Sequence, residues 1–241
     1  MNRLTAILTL TTAILSSAAA FAADTTDAGG VGDTPVPATV RLSNSQGNSA
    51  DVIAYSTLET DGFANYAVNQ GLAAGNMLNA NTNGTLQGGA DAGTGANSGE
   101  LVPGTNEQWN TGQVVVSLRT AVDSTNLAAT EATALGNSAA AQTYFSNGAV
   151  SSSQENWGGV AAVNDIEANG VYGIVSATTT AMGNNVQTGG FGPQIDSSTT
   201  TRQVNGANIT AATTVRTGFA NGGIATSTTA IGNNAQVVTG W

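Results

Sequence analysis

The 241-residue chain holds five arginines and 15 acids but no lysine, histidine or cysteine. Those zeros exclude a Ser-His-Asp or Cys-His triad, a thiolate nucleophile, an ordinary zinc site and a Schiff-base lysine. Beside them stand 31 glycines, 35 threonines and 25 asparagines, a composition of short strands and turns.

The chain opens as an export signal. Met1-Asn2-Arg3 supplies the positive start, residues 4–15 the apolar stretch, and Ala20-Phe21-Ala22 the A-x-A cleavage site, giving a signal peptide over 1–22. The mature chain then carries four arginines against 15 acids, a net charge of −11. That balance opposes nucleic acid and anionic lipid surfaces, which call for clustered positive charge. Residues 23–38, with Pro35, Pro37 and three aspartates, read as a flexible leader or an N-terminal cap.

From residue 39 to 241 the chain reads as one repeat-built β domain. Val114, Val116, Leu118, Thr120 and Val122 alternate with Val115, Ser117, Arg119 and Ala121 at strand period, and Ile209, Ala211, Thr213 and Val215 do the same. The β-branched runs at 176–180 and 226–229 favour a pleated sheet. Asn-Gly pairs at Asn83, Asn147, Asn169, Asn205 and Asn221 are turn signals. Residues 80–112, rich in Gly and Asn, read as an inserted loop.

Self-similarity sets the architecture. Thr133-Ala134-Leu135-Gly136-Asn137 returns as Thr180-Ala181-Met182-Gly183-Asn184 and as Thr229-Ala230-Ile231-Gly232-Asn233, with a weaker copy at Leu72-Ala73-Ala74-Gly75-Asn76. The glycines are 61, 47 and 49 residues apart, and Gly62-Phe63-Ala64-Asn65 is echoed by Gly218-Phe219-Ala220-Asn221. Fixed-period similarity signals a repeat architecture. It predicts a β-solenoid or β-helix, with an antiparallel β-sandwich as the alternative. Gly75, Gly136, Gly183 and Gly232, with Asn76, Asn137, Asn184 and Asn233, are predicted to form equivalent corners where both residue types tolerate positive φ. Leu135, Met182 and Ile231 are expected to point inward beside them.

The chemical constellations are thin. Asp165 and Glu167 alternate on one strand and share a face, so with Glu107 and Glu100 they are the only residues for a polysaccharide-degrading β-helix enzyme. Glu59, Asp61 and the stretch 88–93 lack the regular acid spacing that calcium requires. Runs such as Thr178-Thr179-Thr180 are too irregular for a flat ice-binding array. Phe63, Tyr66, Trp109, Tyr144, Phe145, Trp157, Tyr172, Phe191, Phe219 and Trp241 are expected to plug the core and its ends, rather than stack on sugars. No catalytic residue, cofactor or metal is assigned. The last repeat runs out through Val237, Val238 and Trp241 without charge or proline, an unguarded edge for docking or self-association.

The segments Ala132-Thr133-Ala134-Leu135-Gly136-Asn137, Thr179-Thr180-Ala181-Met182-Gly183-Asn184-Asn185 and Thr228-Thr229-Ala230-Ile231-Gly232-Asn233-Asn234 resemble the repeats of the holdfast attachment protein D group. The short motif is also similar to the S-V-A-I-G repeat of trimeric autotransporter adhesin heads, whose unit is much shorter. Export and Gln/Asn/Gly content resemble curlin, without its serine-glutamine-asparagine spacing. The holdfast resemblance implies an exported, non-enzymatic surface adhesin or anchor. Such a subunit ties an adhesive polysaccharide to the cell envelope alongside other envelope or fibre proteins. A curli-like fibre subunit is a further alternative.

Overall fold

The computed structural model describes residues 22–23, 39–41, 43–82, 85–87, 104–144, 148–191 and 197–240. The leader segment 24–38, much of the range 80–112 and Trp241 lie outside the described residues.

The described chain is all β. A short β1 (Ala22–Ala23) pairs antiparallel with β2 (Thr39–Arg41), and every other strand pairing is parallel. Four coils follow. The first is β3 (Ser43–Asn48) and β4 (Val52–Thr82), and the second is β5 (Thr85–Gln87), β6 (Gly104–Asn110) and β7 (Val114–Tyr144). The third is β8 (Gly148–Asn156) and β9 (Val160–Phe191); the fourth is β10 (Ser197–Asn205), β11 (Ile209–Thr217) and β12 (Ile224–Gly240). One sheet stacks β3, β6, β8 and β10; the other stacks β4, β7 and β9, with β11 and β12 both on β9. This is the β-helix that the repeat predicts. The β-sandwich alternative would need antiparallel ladders, and the parallel stacking excludes it.

The second coil carries the insertion. Leu86 pairs with Gly148 and Gly104 with Val150, so two residues 18 apart in the chain face partners only two apart. The extra residues therefore fall between 87 and 104. Residues 104–110, inside the range read as a loop, are strand.

The interior is divided into three apolar clusters. In the largest, Val114, Val116, Leu118 and Val160 meet Ala73, Ala132, Ala134 and Ala181. Large side chains from one wall thus face alanines from the other, which keeps a narrow coil close-packed. A second cluster sets Leu78, Ala139 and Val186 against Val150. Between the clusters lie amides rather than hydrocarbon. Buried amides stabilise only when bonded, and these are joined from coil to coil.

Gln108 Nε2 donates to Gln46 Oε1 at 2.7 Å, Gln154 to Gln108 at 2.7 Å, and Gln203 to Gln154 at 3.0 Å. Across the coil, Gln46 Nε2 donates to the Met77 carbonyl, and the nitrogens of Gln108, Gln154 and Gln203 donate to those of Ser138, Asn185 and Asn234. A parallel column runs Asn48, Asn110, Asn156, Asn205, each amide donating to the next side-chain oxygen at 2.7–2.8 Å. Each of these asparagines also donates to a carbonyl two residues on, which closes the turn into the following strand.

Candidate functional site

The repeated Gly-Asn pairs lie in one register column: Asn76 pairs with Asn137, Asn137 with Asn184, and Asn184 with Asn233. Their side chains form a second asparagine ladder, each Nδ2 donating to the next Oδ1 at 2.7–2.8 Å. Asn76, Asn137 and Asn184 also donate to the backbone oxygens of Trp109, Glu155 and Val204. They stitch the end of one coil to the start of the next.

The expected positive-φ turn is not there. The strands run unbroken through Gly75, Gly136, Gly183 and Gly232. Among described glycines only Gly62 and Gly223 have positive φ, 82° and 96°. What bends the chain is a change of inward parity: Gly136 and Asn137 are both buried in succession, as are Gly183 and Asn184. Glycine is needed for close approach. A β-carbon at Gly75 would stand 2.6 Å from the Gly136 oxygen and 2.7 Å from Asn110 Oδ1. At Gly136 it would stand 2.5 Å from Asn156 Oδ1, with the Gly183 oxygen also in the way.

Leu135 and Met182 pair with one another in register but are half-buried, as is Ile231; the fully buried residues beside them are Ala134 and Ala181. The inward expectation is corrected there. Facing valines already fill the space, so only alanine fits.

The fourth coil leaves its inner face open. Ile209, Ala211 and Val215 are only part-buried, packed on one side against the core, although their partners Val160, Ala162 and Ile166 in the third coil are fully buried. Val237 continues the inward row of Thr188 and is 59% exposed; Val238 is half-buried. Asn205 and Asn233 end their ladders among the described residues, and β12 pairs on one side only, with β9.

The candidate acids divide between the two sheets. Asp165 and Glu167 do share the outward face of β9, where Asp165 pairs with Arg216 at 3.2 Å; Glu107 is exposed on the other sheet. Among the described residues no three acids converge on a metal position. Glu100 and the stretch 88–93 lie outside the described residues. Glu155 bonds Arg202 at 2.6 Å, both partly exposed. The Arg202 hydrogen bond, then that of Trp157, hold its carboxyl below the ordinary 4.5. A depressed folded value means stability that is present above the unfolded carboxylate range and lost as pH falls through the folded one. Arg202→Ala is expected to raise the Glu155 midpoint in a carboxyl-carbon NMR titration. The cost in stability should be small, as for other exposed pairs.

The aromatics overturn the core reading. Tyr55, Phe63, Tyr66, Trp109, Trp157, Tyr172 and Phe219 are all 43–72% exposed, and the buried apolar residues are aliphatic. The Trp109 ring lies over Gly47 and the Trp157 ring over Gly206. The side chains of Tyr144, Phe145, Phe191 and Trp241 lie outside the described residues.

No helix among the described residues is long and apolar enough to cross a membrane. No curated protein and no solved structure matches the chain. The family described as holdfast attachment protein D matches over residues 122–240, the coils that carry the three strongest Gly-Asn repeats, and in that part the chain is similar to that family.

Proposed function

We propose that the chain is an exported, non-enzymatic anchor subunit that holds an adhesive polysaccharide to the cell envelope. In this reading it joins its neighbours by stacking a further β coil on the open inner face of the fourth coil. Residues Ile209, Ala211, Val215 and Val237 carry the reading. They continue rows that are buried in the third coil, but Ile209, Ala211 and Val215 are only part-buried and Val237 is exposed. Apolar rows of this kind, beside the β12 edge, which has no charge or proline, favour pairing with another β segment. The match of a holdfast attachment family over residues 122–240 supports the envelope role, and the absence of histidine, lysine and cysteine supports a non-catalytic one.

A single gatekeeper charge tests it. Val237→Lys sits on an exposed position, so its effect on folding should be within about 0.5 kcal/mol. A lysine ammonium there would have to be desolvated on docking. The variant is expected to fold and be exported normally while cells lose tagged protein and surface polysaccharide to the medium. Wild-type retention of both would overturn the docking face.

A further inference from the structure

The rings of the echoed Gly-Phe-Ala-Asn segments stay out of the core, although Ala220 packs against it, and the fold brings them to one outer corner. Phe63 pairs with Ser124 and Ser124 with Gly170, and the Phe219 ring lies over Gly170. The column therefore reads Phe, Ser, Gly, Phe from the first coil to the fourth. The two small residues leave room, and Tyr172 of the third coil fills it. Its ring centroid is 6.1 Å from that of Phe63 and 5.3 Å from that of Phe219, the latter pair edge to face. The three rings thus form a continuous aromatic strip across the coils, with each centroid within 6.1 Å of the next. Each ring is about half-exposed, and Tyr66, in register with Leu127 and Ile174, extends the strip sideways.

The geometry points to a glycan-binding platform: a neutral or amine-bearing polysaccharide lies along the corner with its sugar faces on Phe63, Tyr172 and Phe219. This rests on the anchor reading and names where the polysaccharide is held. Three observations choose the occupant. First, the corner's backbone is already paired along the axis, as in Val171 N–H to the Phe219 oxygen at 2.9 Å and Asn221 N–H to the Val171 oxygen at 3.0 Å. A peptide strand therefore has no ladder to join there. Second, the flanking groups are exposed amides and carboxylates suited to sugar hydroxyls and amines. Asn126 donates to Asn65 at 3.2 Å, and Asp123 accepts from Gly62 N–H and Asn169, both at 2.9 Å. Third, charge excludes polyanions. Arg216 is already paired with Asp165, and Asp61 and Asp123 border the strip, so acidic glycans and anionic lipid are repelled.

Calorimetry on the mature chain tests this, with cellohexaose, the glucosamine hexamer, a polyuronate and anionic phospholipid vesicles as probes. A neutral or amine-bearing hexaose is expected to bind. Tyr172→Ala and Phe63→Ala should each weaken it by about tenfold, a change of 1.4 kcal/mol. Tyr172→Phe should keep the affinity, and Trp157→Ala, in the connection between β8 and β9, should leave it unchanged. Circular dichroism checks that each variant is folded. The strip is overturned if no hexaose binds, if only the polyuronate or vesicles bind, or if Trp157→Ala rather than Tyr172→Ala loses binding. Cells separate this failure from that of the anchor reading. If Val237→Lys releases the polysaccharide while the strip variants do not, the anchor stands and the strip falls; if neither does, the anchor reading itself falls.

Discussion

Gly183→Ala is expected to destabilise the protein by about 3 kcal/mol, and Gly232→Ala by almost nothing, although the two glycines occupy the same place in adjacent repeats. Conformation is not the cause, since neither has positive φ. At Gly183 a β-carbon would stand 2.5 Å from the Gly232 oxygen, and the Asn205 side-chain oxygen would be in the way as well. One obstacle is backbone held in a parallel ladder; the other is an amide fixed by bonds to Asn156 and to the Ala207 oxygen. Neither can yield cheaply, and overpacking of this kind costs about 1–3 kcal/mol before any hydrogen bond is lost. Displacing the Asn205 amide adds roughly another 1–3 kcal/mol. At Gly232 the nearest atom would be Asn205 Nδ2 at 3.5 Å, an ordinary contact. There alanine merely restricts the unfolded chain, a gain of about 0.4–1 kcal/mol. In thermal melts followed by circular dichroism, the Gly183→Ala midpoint should fall by roughly 10 °C and that of Gly232→Ala should stay near wild type. Equal shifts would show that the glycines serve backbone flexibility and not close approach.

Much of this fold is legible in the chain. Period-two runs mark the strands, and the Gly-Asn spacing marks coils, because each coil must return the same small residue to the same crowded position. A second repeat was equally legible and passed unread: Gln46-Gly47-Asn48, Gln108-Trp109-Asn110, Gln154-Glu155-Asn156 and Gln203-Val204-Asn205. It is masked by the variable middle residue, which faces solvent while its neighbours form the two amide columns. The direction of Leu135 and Met182 was not legible, because inward parity switches inside the motif itself and alternation alone does not show the switch. The aromatics misled for a reason of size. An interior of paired valines and alanines, pinched by bonded amides, has no room for rings, so aromatic bulk marks the outer surface here. Of the candidate site, the unguarded edge at Val237 and Val238 could be read from composition. The corner strip could not, because Phe63, Tyr172 and Phe219 are brought together only by the stacking of coils.

The Asn48–Asn110–Asn156–Asn205 column should prove the most sensitive polar element, with Asn156→Leu the most damaging single change in it. Leucine matches the volume, so the effect isolates hydrogen bonding from packing. Asn156 is fully buried and makes three bonds: it accepts from Asn110 at 2.8 Å and donates to Asn205 at 2.7 Å and to the Gly158 oxygen at 2.9 Å. The substitution strands the Asn110 N–H in the interior, and Asn205 and Gly158 each lose a donor. At about 1–3 kcal/mol for each of the three orphaned groups, the loss is roughly 3–9 kcal/mol, large against the 5–15 kcal/mol that holds most domains together. Because each coil of a solenoid rests on its neighbours, the third and fourth coils should open before the first two. Hydrogen exchange should therefore show lost protection concentrated in β8–β12. Adding Asn110→Leu separates this account from a general intolerance of leucine. The orphan left on Asn110 by the first change disappears with the second, so the double variant should be clearly more stable than the sum of the singles implies. Strict additivity in urea denaturation would mean that the column amides act one by one, and that the coil-to-coil ladder is not what stabilises the stack.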